Sequence, residues 1–235
     1  MKKPAPEPSG SAPKPAIAAP RTLLVLVRHG DAGEPLALPG RDAARALSSK
    51  GRRQAKRAGK ALARLGLAPH DVWTSRLVRA RETARTALAA ATGAHVDGIR
   101  VSATPALAPD AAPERIARTL LDTPPPPPES AEGAGPTAKD AGGRRGRAAR
   151  DGRGIRRASR APSAPACAVR WLVGHDPHLA RFAAFALGAP ASAVRLRKGA
   201  FAVLGFDGRG PGPGTGVLTL LLDPDALRAV RRRRR

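Results

Sequence analysis

The 235-residue chain has no tyrosine, one methionine and one cysteine, and only 3% of it is aromatic. A core must therefore come mainly from Ala, Leu and Val. The single thiol, Cys167, excludes an internal disulfide and a cysteine-based metal site. It sits just ahead of an apolar run, which reads as a buried core position in a reducing cytoplasm. Acidic residues are scarce too, 18 against 42 Lys and Arg, for a formal charge of +24. No stretch reaches the roughly 18 apolar residues that a membrane span requires. Met1-Lys2-Lys3 resembles the basic start of a secretory signal, but Pro-Ala-Pro follows instead of an apolar segment. The expectation is a cytoplasmic protein without a membrane span.

So large a positive charge attracts polyanions non-specifically. Arg, Ala, Pro and Gly are all abundant, which accounts for the charge as a compositional bias. With so few aromatics between the arginines, base stacking is poorly supported. Non-specific polyanion contact is expected only through the basic segments.

Pro and Gly, 25 of each, mark where order stops. Residues 1–21 read as a disordered arm. Leu23 to Val27 is a continuous apolar run, as in a strand buried on both faces of a parallel sheet. It ends abruptly in Arg28-His29-Gly30-Asp31. Residues 31–41 read as a loop. Ser48 or Ser49 caps a helix running to about Leu65 and stopped by Gly66, with Arg52, Arg53, Lys56 and Lys60 on its solvated face. Asp71 to Ser75 reads as a strand and Leu77 to Ala91 as a helix. Val101 falls in a short strand, and Pro113 to Leu121 forms a helix with proline in its first turn. Residues 123–166, opening on Pro124 to Pro128, cannot bury enough apolar surface to fold and read as a disordered basic insertion. Val169 to Val173 is another buried strand, ending in Gly174-His175-Asp176. A helix follows to Leu187, closed by Gly188. Gly199 to Phe206 and Val217 to Leu222 pair as a hairpin. Residues 226–235, with five arginines from Arg231, read as a basic tail. The alternation predicts a three-layer α/β/α sandwich with a mostly parallel sheet over 22–225.

Parallel strands put their carboxyl ends on one edge of the sheet, where ligands bind in such folds. His29 and His175 each follow such a strand, Arg28 sits beside His29, and Arg79 lies near the start of the next helix. Two guanidinium groups neutralise a phosphoryl dianion with matched geometry. A neutral histidine is a competent covalent nucleophile. A second, protonated histidine can donate to the phosphoryl oxygens. The set suits nucleophilic phosphoryl transfer. His70, His95 and His178 fit no site and are expected in surface or loop roles. No carboxylate spacing supports a metal, and no cofactor is expected.

These motifs, in this order, resemble the histidine phosphatase superfamily, and within it the SixA-type phosphohistidine phosphatases. Arg28-His29-Gly30-Asp31-Ala32 is similar to the family signature. Leu47-Ser48-Ser49-Lys50-Gly51 with Gln54-Ala55, Ser75 through Arg79-Ala80 to Thr83, Gly174-His175-Asp176 and Leu196-Arg197-Lys198-Gly199-Ala200 are similar to its further segments. Arg76 and Glu82 stand where proline and glutamine are frequent. The resemblance covers roughly 22–122 and 168–225 and implies a phosphoglycerate mutase-like fold. It implies that His29 becomes phosphorylated and that Arg28, Arg79 and His175 complete the phosphate pocket. Ser75 receives no role. The proton donor stays open among Asp31, Glu34, Asp110 and Asp176. The expected substrate is phosphohistidine on a protein. A small phosphomonoester, such as a nucleotide or sugar phosphate, is the alternative. A nucleic-acid-binding or scaffold role for the basic segments is a third.

Overall fold

The computed structural model describes residues 22–93, 99–123, 167–208 and 210–232. The run from Leu23 to Val27 lies within strand β1 (Thr22–Arg28), near the middle of a six-stranded sheet. Its alternate side chains enter opposite faces. Leu24 and Leu26 join one apolar cluster, and Val25 and Val27 the other. That double burial explains why the run is continuously apolar.

The remaining strands are β2 (Asp71–Thr74), β3 (Arg100–Ala103), β4 (Ala168–Gly174), β5 (Phe201–Phe206) and β6 (Gly216–Leu222), arranged in the order β3-β2-β4-β1-β5-β6. The neighbours β3, β2, β4 and β1 are parallel, whereas β5 and β6 run antiparallel as the expected hairpin. Helices α2 (Ser49–Arg64) and α3 (Val78–Thr92) cover one face. Ala58 and Leu62 of α2 and Ala84, Ala87 and Leu88 of α3 pack there on Val72, Trp171 and Val203. Helices α4 (Pro113–Asp122) and α5 (His178–Leu187) cover the other, placing Ile116, Leu120 and Phe182 against Leu26, Trp73 and Leu172. The three-layer α/β/α architecture with a mostly parallel sheet is thus observed.

Two segments differ from expectation. A short helix, α1 (Pro39–Ala43), begins inside the stretch 31–41 read as loop, with proline at its start. The chain from 224 onward is not simply tail: α6 spans Pro224–Arg232, and Leu227 packs against the α2–α3 face. Arginine is a good helix former, and Pro224 with Asp225 supplies a first turn. The expected arm 1–21, the insertion from 124 to 166 and the last residues 233–235 lie outside the described residues. Thr123, placed at the edge of that insertion, is tied in, because its carbonyl accepts a 2.7 Å hydrogen bond from Arg170. Cys167 is buried. Among the described residues, no helix is long and apolar enough to cross a membrane.

Candidate active site

The strand register decides which residues meet. Arg28 lies opposite Gly174 and Thr74 opposite Val173, so three parallel strands end within one residue of one another. The next residues, His29, His175 and Ser75, therefore emerge side by side. Backbone bonds lock them there: His29 N–H donates to Gly174 O at 2.9 Å, and Ser75 N–H to Val173 O at 3.0 Å. The ring centroids of His29 and His175 are 5.0 Å apart. The antiparallel β5 starts at this same edge, and Gly199 N–H donates to His29 O at 3.1 Å.

Gly30 is where the loop meets α2. A methyl group at its Cα would come within 2.6 Å of Gly51 O, so only glycine allows this approach. Ser48 clamps the same junction. Its hydroxyl caps α2 by accepting from Gly51 N–H at 3.1 Å and donates to Asp31 Oδ2 at 2.6 Å. Thr83 of α3 accepts from Gly30 N–H at 3.1 Å, and Gln54 of α2 accepts from Asp31 N–H at 2.8 Å.

The tautomer of His29 follows from its partner. Nδ1 lies 2.7 Å from Gly30 O. A carbonyl oxygen only accepts, so Nδ1 carries the hydrogen and Nε2 keeps its lone pair. Burial pushes the imidazole pKa down to about 4, with Arg79, Arg28 and Lys198 adding to the fall. Nε2 is therefore unprotonated at neutral pH.

His175 is held differently. Its Nε2 lies 2.9 Å from Ser75 Oγ, which also accepts from Leu77 N–H at 3.3 Å. The Ser75 hydroxyl can donate its hydrogen to Nε2, and the ring hydrogen then sits on Nδ1. Burial, followed by the nearby His29 and Arg79, lowers the His175 pKa to about 3.

Arg79 is the second residue of α3, closer to the helix start than one full turn. Its Nη1 donates to Asp42 O at 2.7 Å and pairs with Asp42 Oδ2 at 3.1 Å, while its buried Nε has no partner among the described residues. Asp42 also binds Arg45, at 2.8 Å, and Arg45 in turn donates to Ala32 O and Gly33 O. Arg28 donates to Leu196 O at 2.6 Å and sits 3.6 Å from Asp176, with its Nε likewise unpartnered among the described residues. The arrangement is a neutral nucleophilic nitrogen flanked by guanidinium groups with spare donors. It can accept a phosphoryl group.

The family model of the histidine phosphatase superfamily, branch 1, matches residues 24–108. Over this stretch the chain is similar to that superfamily, and the match spans less than half of its length. No curated protein matches it. Among solved structures, the protein histidine phosphatase SixA complexed with tungstate is similar at 15% identity and a TM-score of 0.59, over 87% of this chain and 99% of that one. A SixA-type protein from Agrobacterium tumefaciens is similar at 19% identity and a TM-score of 0.54, over 86% and 98%. A mycobacterial glucosyl-3-phosphoglycerate phosphatase, in complex with VO3, is similar at 17% identity and a TM-score of 0.50, over 84% and 97%. At such identities the structural likeness is one of fold. The family match and the fold together indicate an enzyme of the phosphatase and mutase class.

The four anticipated residues Arg28, His29, Arg79 and His175 come together at one edge. Of the four candidate carboxylates, Asp31 and Asp176 also lie at this edge. Asp31 is committed to Ser48 and to Lys198 at 3.4 Å, and these hydrogen bonds hold its carboxyl below the usual range. Asp176 sits against Arg28, and Glu34 and Asp110 are exposed. Three contributors were not anticipated: Ser75, Asp42 and Arg45. For Asp42 and Arg45 the signal was local, an acid and a base three residues apart just ahead of Leu47-Ser48. His178 was expected at the surface but is buried, its Nε2 2.9 Å from Ala106 O. His70 is half-buried and accepts from Val169 N–H at 2.9 Å. His95 lies outside the described residues.

Proposed function

We propose that this protein is a phosphatase working through a phosphohistidine intermediate on His29, and that its substrate is phosphohistidine on a protein. The observation that carries the reading is the Nδ1–H···O=C bond to Gly30, which leaves Nε2 as a lone-pair nucleophile. Nε2 attacks phosphorus, and the bond from phosphorus to the leaving nitrogen breaks. Arg28 and Arg79 balance the charge on the phosphoryl oxygens. His175, once facing a dianion, gains reason to hold a second proton and donates from Nδ1. Water then attacks the phosphoenzyme, the P–Nε2 bond breaks, and phosphate leaves.

The state of the carboxylates favours a phosphoramidate over an alkyl ester. An alkoxide needs a strong proton donor to leave, whereas a protonated imidazole leaves readily. Asp31 is held ionised and Asp176 is spent on Arg28. A small phosphomonoester remains the alternative, since the mycobacterial relative of this fold is a glucosyl-3-phosphoglycerate phosphatase. The buried Cys167 suits a reducing, cytoplasmic setting.

A substrate panel tests the choice. The purified chain is expected to release phosphate from a phosphohistidine-bearing protein with a kcat/KM well above that for sugar phosphates and nucleotides. Rapid cleavage of sugar phosphates with no action on phosphohistidine overturns the protein-substrate reading.

A further inference from the structure

Beside the His29 edge lies a second feature for which the chemistry above has no use. It is an open cleft of about 390 Å³ between the loop after β1, the start of α2, the loop before β5 and the start of α6. Its charged walls are Arg28, Lys50, Arg197, Lys198 and Arg228 on the cationic side, against Asp31 and Asp225. The lining carries five cations against two carboxylates, and Asp176 and Asp223 just outside it reach Arg28 at 3.6 Å and Arg197 at 4.0 Å. Both carboxylates are already engaged, Asp31 by Ser48 and Lys198, and Asp225 by Arg197 at 2.9 Å and Arg228 at 3.4 Å. Gln54 lines the cleft as well and adds a neutral amide.

The cleft adjoins the phosphoryl site through Arg28. Arg28 belongs to both, and the 197–199 loop is tied to His29 through the Gly199 N–H bond. A substrate whose phosphoryl group meets His29 therefore presents its neighbouring atoms to a cationic wall. We propose that this cleft is a second anion subsite, which selects substrates bearing a further carboxylate or phosphate beside the phosphoryl group removed. The inference rests on His29 being the phosphoryl acceptor. Lys50 and Arg228 are its specificity-determining residues. Arg28 is shared with the chemistry and cannot report on the subsite alone.

The test uses the full chain and two matched substrate pairs. One pair is a phosphohistidine peptide flanked by Glu and its Gln-flanked twin. The other is a sugar bisphosphate and the corresponding monophosphate. The readout is the ratio of kcat/KM within each pair. With each partly exposed charge pair contributing at most a few-fold, one ratio is expected near tenfold at low salt, falling about threefold in K50Q and again in R228Q. It also falls as salt screens the cleft. A ratio confined to the peptides identifies a substrate carboxylate, and one confined to the sugars identifies a second phosphate; either supports the subsite. Ratios near one in both pairs, or ratios unmoved in K50Q and R228Q, overturn it. Both positions are exposed, and circular dichroism checks that the variants fold. Phosphate incorporation at His29 from a simple phosphodonor is followed in parallel. Incorporation with ratios near one rejects the subsite alone, and no incorporation rejects the phosphatase reading beneath it.

Discussion

Two buried arginines stand at opposite ends of the parallel strands, and they are treated in opposite ways. Arg170, in β4, faces Asp71 across the register. Its Nε meets both carboxylate oxygens at 2.7 and 2.9 Å, Nη1 donates to Thr123 O, and the guanidinium stacks on Trp73 at 4.7 Å. Only Nη2 lacks a partner among the described residues. Arg79, at the carboxyl edge, is held by Asp42 from one side and shares that carboxylate with Arg45. Arg28, beside it, has a carbonyl and a distant carboxylate. Two neutral histidines complete that edge. A buried charge that only builds the fold is neutralised at close range. At the carboxyl edge, Arg28 and Arg79 each keep a buried Nε without a partner among the described residues, which is what the proposed phosphoryl site calls for.

Breaking the structural pair has the largest expected effect. Arg170→Ala leaves Asp71 charged and buried, which costs about 3–5 kcal/mol. Urea unfolding should show the loss, while folded protein keeps its kcat. Little change in stability would mean that Asp71 is solvated or neutral.

Arg79→Ala should do the reverse. The structure stays near native stability, but kcat falls roughly 10²–10³-fold, as for removal of one oriented donor from a transition state. A loss of stability without loss of turnover would make Arg79 a second Arg170.

The histidines give a smaller, pH-dependent effect. Their folded pKa values, about 4 for His29 and about 3 for His175, lie below the ordinary 6.5. Between pH 6.5 and 4 the unfolded chain therefore binds more protons than the folded one. Stability is full above pH 6.5 and declines as pH falls towards 4, by on the order of a few kcal/mol. Unfolding at pH 7 and pH 5 measures it, and His29→Ala should flatten the slope. A slope unchanged in that variant would show that His29 titrates normally.

Much of this contrast is legible in the amino-acid sequence alone. Apolar runs ending in Arg28-His29 and Gly174-His175 announce strands whose ends carry chemistry. What escapes such a reading is what depends on distant contacts. Arg170 sits inside the apolar run of β4, and nothing local says that Asp71, 99 residues away, neutralises it. Ser75 and His175 meet across 100 residues. His178 looks solvated until α5 docks on Ala106 O. Pro39-Gly40 reads as a turn, yet it opens the helix that delivers Asp42 to Arg79. At the end of α6, a run of arginines resembles a solvated tail, although Leu227 anchors the helix before it.

The central claim is that His29 Nε2 takes the phosphoryl group because Gly30 O holds Nδ1–H. The direct test is brief reaction with a phosphodonor, followed by peptide mass analysis and nitrogen–phosphorus NMR. The account predicts one phosphate, on Nε2 of His29, and none in His29→Ala. An adduct on Nδ1, or one that survives in His29→Ala, contradicts it.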